Sequence, residues 1–486
     1  MSEKIIVIGG GIAGLSAGIY ARLADFDAVI YEKNPVCGGE CIGWNRKGFH
    51  IDNCIHWLTG TKKGTPLYDV WKTIGAIDDD TVYAPINAFF AYKEDGKVAT
   101  LWYDLEKTEK ELIELSPEDE KEIKRFIKYV NYAKCCHYPA GKPIEMFGLS
   151  EKISMAFEMK DMIKVMMKYG NMSLEEYGSK FKSPILRDLF IKYLPPCYTA
   201  YSFLVAYASM CDGNGNVPEG GSRAMVSRII KRFKDLGGEI KCNKHVQKIE
   251  IKDGKATKVV LTDGSEDSAD YIISAVDPSV LFGDLVSRDY APDVLKKAYE
   301  DEDSYPVTSG FQVAFSADKG LYTDEMTFTK VRPVKVGTQD VDSISLKSYE
   351  YEEDFGNEGR VVLQTIVWQT DPDYKFWKNL PHEEYGNFKR KTAEEILERL
   401  EEVYPNLQGN IEILDVWTPL TYERYCGAYH GSYMSFITKP HVKQVNMDGR
   451  IRGLDNLIVA GQWTAAPGGL PMAACSGKFA VQRIKR

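Results

Sequence analysis

Residues 4–33 read KIIVIGGGIAGLSAGIYARLADFDAVIYEK, and the fold turns on this stretch. Ile5, Ile6, Val7 and Ile8 form an unbroken apolar, β-branched run of the kind a parallel strand buried on both faces requires. It ends in Gly9-Gly10-Gly11-Ile12-Ala13-Gly14, a G-x-G-x-x-G pattern, and the spacing predicts a helix over Leu15–Leu23. A second apolar run, Ala28–Tyr31, stops at Glu32. In such a strand–turn–helix unit Gly9 permits the tight turn and Gly11 lets a pyrophosphate approach the backbone. Gly14 lets helix and strand pack closely. Free N–H groups and the positive end of the helix dipole then hold phosphate. Glu32 follows Gly14 by 18 residues, near the ~20 at which a carboxylate meets a ribose hydroxyl. The combination predicts dinucleotide binding.

A chain of 486 residues has room for two or three domains. Its net charge of −9 argues against nucleic acid as the main partner, because phosphate binding needs a basic surface. The fingerprint opens at Lys4, which predicts no cleavable signal peptide. Ten cysteines in no regular framework then suggest a reducing, cytoplasmic setting with free thiols. Two long uncharged stretches, Tyr193–Cys211 and Asn456–Gly477, are broken by Pro or Gly and polar residues, so neither predicts a membrane-spanning helix. A peripheral membrane contact stays open.

Along the chain, Asn34–Cys41 is a glycine-rich loop and Gly48–Trp57 predicts a short strand entering a pocket. Phe89–Trp102 reads as a hairpin, followed by charged helical patterns at Ser116–Tyr132, Glu151–Lys168 and Ser173–Lys182. Val217-Pro218-Glu219-Gly220-Gly221 leads to a helix with Ser222 as the expected N-cap. A hairpin at His245–Ile251 and Ala256–Leu261 and a buried strand at Tyr271–Val276 follow. Further strands are expected at Phe311–Phe315 and Val361–Trp368, with a helix at Thr392–Val403. Leu457–Ala460 is a last short strand, running into Gly461-Gln462-Trp463 and Pro467–Ala473, with a final helix beyond. The expected organisation is a nucleotide domain in three pieces (1–86, 211–284 and 440–486). Insertions at 87–210 and 285–439 would build a mixed α+β substrate domain.

Taken in order, these motifs resemble the FAD-dependent phytoene desaturase, carotenoid isomerase and retinol saturase group within the amine oxidase superfamily. The resemblance implies a Rossmann-type α/β FAD-binding domain interleaved with an α+β substrate domain, and FAD as cofactor. It implies that Gly9, Gly11, Ile12, Ala13 and Gly14 cradle the pyrophosphate and that Glu32, with Lys33 beside it, holds the adenosine ribose. Gly38, Gly39 and Glu40 would line the phosphate–ribityl side, and Val246 would meet the adenine through its backbone. Gly461 and Gln462 would sit at the ribityl chain, with Leu470, Pro471, Met472 and Ala473 under the isoalloxazine. Two positions depart from the pattern. Glu40 replaces a common basic residue, and an acid near a diphosphate is unfavourable unless it turns away or meets a hydroxyl. Gln462 replaces a common acid but can still bond a ribityl hydroxyl.

Other constellations carry less. Cys41 follows the Gly-Gly pair where dithiol flavoenzymes of the glutathione reductase type keep a redox cysteine. The position five residues on is Arg46, so no resolving thiol is expected. Cys37, Cys41, Cys54 and His56 could be drawn as metal ligands, but Cys37 and Cys41 straddle the glycines a flavin needs, so no metal is expected. Cys135-Cys136-His137 reads as chance. His56 is the candidate catalytic residue, to orient substrate or act as acid or base. If its segment is extended, Asp52, Cys54 and His56 share a face. Tyr422, Tyr425, Tyr429, His430 and Tyr433 could wall a lipophilic pocket or pack an interface. The Met-rich stretch Met155–Met172 reads as an amphipathic packing helix or as an adaptable apolar surface. The leading expectation is an FAD-dependent desaturase or saturase of a small lipophilic, polyene or isoprenoid-like substrate. A flavin amine oxidase and a non-redox flavin isomerase are the alternatives.

Overall fold

The structure, a computed structural model, describes residues 2–324 and 326–485. A six-stranded sheet runs in the order Arg450–Ile451, Leu454–Val459, Tyr271–Ser274, Lys4–Ile8, Asp27–Tyr31, Glu239–Lys241. All its pairings are parallel except the first. Ile5, Ile6 and Val7 are completely buried, because helices and a three-stranded sheet cover the two faces of this central strand. The first helix, Ile12–Leu23, starts three residues earlier than the apolar spacing predicts, with Gly11 as its N-cap. The glycine turn therefore contributes its own residues to the first helical turn.

The final helix, Leu470–Ile484, lies against the first. Ser16 Oγ donates to Ala474 O at 2.7 Å. A Cβ on Gly477 would stand 2.3 Å from Ala13 O, so only glycine permits this approach.

A seven-stranded sheet is ordered Ile411–Trp417, Ser309–Asp318, Arg360–Gln369, Gln339–Ser348, Met326–Val336, Ala88–Glu94, Lys97–Trp102. Its one parallel pairing joins Met326–Val336 to Ala88–Glu94, which ties the first insertion to the second. Helices of the first insertion bury an aromatic core on the hairpin, including Phe126, Phe190, Phe203 and Tyr207.

Several expected boundaries move. Glu151–Lys168 is two helices, Leu149–Glu158 and Lys160–Tyr169, broken at Met159 (φ −87°, ψ 9°). The helix expected from Ser116 begins at Glu120, because Asp119 turns inward to accept from Lys182 N, Ser183 N and Ser116 Oγ. Ser222 is not an N-cap. The helix Gly221–Asp235 is capped by Gly220 at φ +80°, and Ser222 lies inside the first turn, bonded to Asp52. No helix among the described residues is long and apolar enough to cross a membrane.

Candidate flavin site

The carboxyl ends of the parallel strands and the first turns of the first and final helices surround a cavity of about 380 Å³. This is where open α/β sheets place ligands. Gly9, Gly11, Ile12, Ala13, Glu32, Lys33, Gly38, Gly39, Glu40, Val246, Gly461, Gln462, Leu470, Pro471, Ala473 and His56 all line it. Gly14 lies behind, where a Cβ would meet Gly9 O at 1.9 Å, so its role is the close helix–strand contact. Met472 is turned away: its sulfur accepts from Tyr138 OH at 3.3 Å. The first turn of the final helix runs through Met472, so side chains there alternate between the cavity and the packing behind it.

The walls suit a dinucleotide. Ile12, Ala13 and Gly14 sit in a first turn whose N–H groups have no intrahelical acceptor. A Cβ at Gly11 would have only ordinary contacts, to Gly39 Cα at 3.8 Å and Gly38 O at 3.9 Å, and one at Gly461 would meet nothing. Glycine at these two positions keeps space open for something other than protein. Glu32 accepts from Gly10 N at 2.7 Å and from Asn34 N at 2.8 Å, which orients its carboxylate and leaves lone pairs for a hydroxyl.

Glu40 faces the cavity and accepts from Gln462 Nε2 at 3.2 Å, while Gly469 N donates to Gln462 Oε1 at 3.1 Å. Burial, with Asp277 nearby, pushes the Glu40 carboxyl up to about 8. It is protonated at neutral pH, which removes the charge that would oppose a diphosphate. Asp277, a cavity residue that the motifs do not single out, is raised by burial to about 6. Its position just past the strand Tyr271–Ser274, at the ligand end of the sheet, was the available signal.

His56 stands between this cavity and a smaller one of about 30 Å³ lined by Trp57, Phe89, Tyr193, Met210 and Lys347. Both His56 ring nitrogens are buried without a partner. Burial and the nearby Lys347 ammonium push its pKa down to about 3. The imidazole is therefore neutral at physiological pH, with one ring N–H to donate a hydrogen bond and without the second, acidic proton of an imidazolium. Asp52, Cys54 and His56 do not share a face. The strand Phe49–Asp52 ends at Asp52, which accepts from Cys54 N, Ile55 N and both Ser222 donors. Lys347, missed in the sequence, is buried and lowered by burial to about 8, with one long bond to Ile55 O at 3.4 Å.

Of the tyrosine group, Tyr425 and Tyr433 line the cavity. Tyr422 bonds Asn53 Oδ1 at 3.0 Å, and Tyr429 and His430 stack on one another, so these three pack the frame. No group of side chains that could hold a metal ion occurs among the described residues, Cys37/Cys41/Cys54/His56 and Cys135-Cys136-His137 included.

A βαβ nucleotide fold with this cavity defines a dinucleotide-binding protein. A sequence model described as flavin containing amine oxidoreductase matches residues 12–485, and the chain belongs to that family. FAD is its cofactor, and the phytoene desaturase-like resemblance within the amine oxidase superfamily holds. The chain is 25% identical to a 4,4'-diaponeurosporene oxygenase of Staphylococcus haemolyticus, over 99% of this chain and 97% of that one. A 4,4'-diaponeurosporene oxygenase of Staphylococcus aureus is 24% identical, over 100% and 98%. Among solved structures, an oxidoreductase from Methanosarcina mazei superposes with a TM-score of 0.63 at 16% identity, covering 99% of this chain and all of that one. Putrescine oxidase bound to putrescine superposes at 0.60 and 15%, covering both chains completely. At these identities the structural likeness speaks for the fold.

Proposed function

We propose that this flavoenzyme desaturates or saturates a hydrophobic polyene or isoprenoid-like substrate. Bound FAD supplies the two-electron chemistry, with hydride passing between a substrate carbon and flavin N5. The observation that carries the reading is that His56 and Trp57 line both the flavin cavity and a small neighbouring space walled by Phe89, Tyr193 and Met210. Aromatic and thioether walls suit a conjugated hydrocarbon and exclude water. The diaponeurosporene oxygenases named above support a polyene substrate. A cationic amine suits this end poorly, because Lys347 is the one charged side chain lining it. In this reading Glu32, Lys33 and Val246 hold the adenosine half of FAD, and Gly461, Gln462, Leu470, Pro471 and Ala473 hold the flavin half. His56 positions substrate as a neutral ring. Residues 1–86, 211–284 and 440–486 form the FAD unit, and 87–210 and 285–439 the substrate unit.

A lipid-dissolved substrate fits a second feature. The helix Leu149–Glu158 buries none of its residues, and Leu149, Ile153 and Phe157, four apart, stand 77%, 62% and 72% exposed on one face. Met167, on the next helix, is 82% exposed. The flanking Lys152, Lys160 and Lys168 have no acidic partner among the ion pairs of the described residues. An apolar stripe edged by lysines suits the surface of an anionic bilayer. The ten unbridged cysteines support a reducing, cytoplasmic face for this contact.

The test is anaerobic incubation of FAD-loaded enzyme with polyenes in micelles and a quinone acceptor, followed by absorption spectra of the extracted pigment. A shift in conjugation length is expected. Turnover of amines with stoichiometric peroxide, and none of polyenes, would overturn the proposal.

A further inference from the structure

Strand Gly43–Arg46 pairs antiparallel with Phe49–Asp52, in the register Gly43↔Asp52. Asn53 N donates to Ile42 O at 3.0 Å, so the ladder continues one step further. The next step sets Cys41 opposite Cys54. Neither backbone N–H of this pair bonds the other: Cys41 N donates to Gly38 O and Cys54 N to Asp52 Oδ1. Cys41 and Cys54 thus stand just beyond the paired strands, where the two segments still run side by side. The thiols are close enough for Cys41 to help hold the Cys54 thiol above its ordinary range. Both line the flavin cavity. The partner that sequence spacing sought at Arg46 is supplied by the hairpin, 13 residues after Cys41.

We propose that Cys41 and Cys54 form a dithiol–disulfide couple that exchanges two electrons with FAD bound in the cavity. In the oxidising direction both S–H bonds break, one S–S bond forms, and the two electrons and two protons pass to FAD, the oxidant. In the reverse direction reduced FAD returns them and the S–S bond breaks. The neighbouring Cys41, burial and the nearby Asp52 raise the Cys54 thiol well above its ordinary range. The couple gives the enzyme a second store of two electrons beside its cofactor.

Wild-type holoenzyme is oxidised with ferricyanide, desalted, and titrated anaerobically with dithionite while its flavin spectrum is followed. Four electron equivalents per FAD are expected in the wild type and two in Cys41→Ser and Cys54→Ser. Cys242→Ser removes the thiol that contacts Cys37, away from the cavity lining, and retains four. Peptide mapping of the oxidised, alkylated wild-type protein, with and without FAD, reads the bond directly and depends on no variant's folding. A Cys41–Cys54 cross-link is expected. Two equivalents in the wild type, or a cross-link that joins Cys426 or any other cysteine instead, would overturn the proposal. Neither readout uses a polyene, so its failure is distinguishable from failure of the substrate reading.

Discussion

Asp52 accepts hydrogen bonds from both the backbone N–H and the hydroxyl of Ser222, 170 residues along the chain. The same carboxylate accepts from Cys54 N at 3.1 Å and Ile55 N at 3.2 Å, and it is 98% buried. One side chain thus clamps the cavity loop Asn53–Trp57 to the first turn of the helix Gly221–Asp235. Asp52→Ala leaves several buried donors unpaired, each at a cost of about 1–3 kcal/mol. We expect a loss of about 3 kcal/mol or more in urea unfolding, with weaker FAD retention. A change under 1 kcal/mol would mean that the clamp is not needed.

The glycines of the fingerprint separate by experiment. Gly11 has φ −71°, which any residue adopts, and its Cβ direction is open. Gly11→Ala should leave the apoprotein within about 1 kcal/mol of wild type while lowering FAD affinity roughly tenfold or more, equivalent to about 1.4 kcal/mol. Gly14→Ala should instead destabilise the apoprotein itself, since its Cβ collides with Gly9 O. Thermal melting of apoprotein and fluorescence titration with FAD distinguish the two outcomes.

Glu40 predicts a pH dependence. Its carboxyl keeps its proton up to about 8 in the fold, against an ordinary 4.5. A group raised in this way stabilises the fold fully below its ordinary value and loses that contribution as pH rises through 8. In the proposed binding mode, ionisation also brings a negative charge towards the diphosphate. FAD affinity measured between pH 6.5 and 9 should fall above 8, and Glu40→Gln should flatten the curve. An unchanged profile in the variant would assign the dependence to another group.

Cosedimentation with vesicles of mixed phosphatidylglycerol and phosphatidylcholine tests the exposed stripe. Binding of the wild type should weaken with salt, because the lysine contribution is screened. Ile153→Ser combined with Phe157→Ser should reduce it at least fivefold without altering the melting temperature, as neither residue is buried.

The amino-acid order alone determined the nucleotide-binding core, because its signals are local. An apolar run, a glycine spacing and an acid 18 residues on are all read within 33 residues. Most of the residues that line the cavity were equally legible, apart from Gly14, which packs behind it, and Met472, whose orientation depends on which face of the final helix meets Tyr138. Only the tertiary structure decided that burial raises the Glu40 carboxyl, that burial beside Lys347 keeps His56 neutral, and that Cys41 and Cys54 become neighbours. Charge state follows from burial and from neighbours contributed by distant segments, such as Lys347 beside His56 and Asp277 beside Glu40. The thiol pair follows from the register of a hairpin, and no spacing rule encodes a register. Gly477 makes the same point: its lack of a side chain matters because Ala13 lies against it, 464 positions away in the chain.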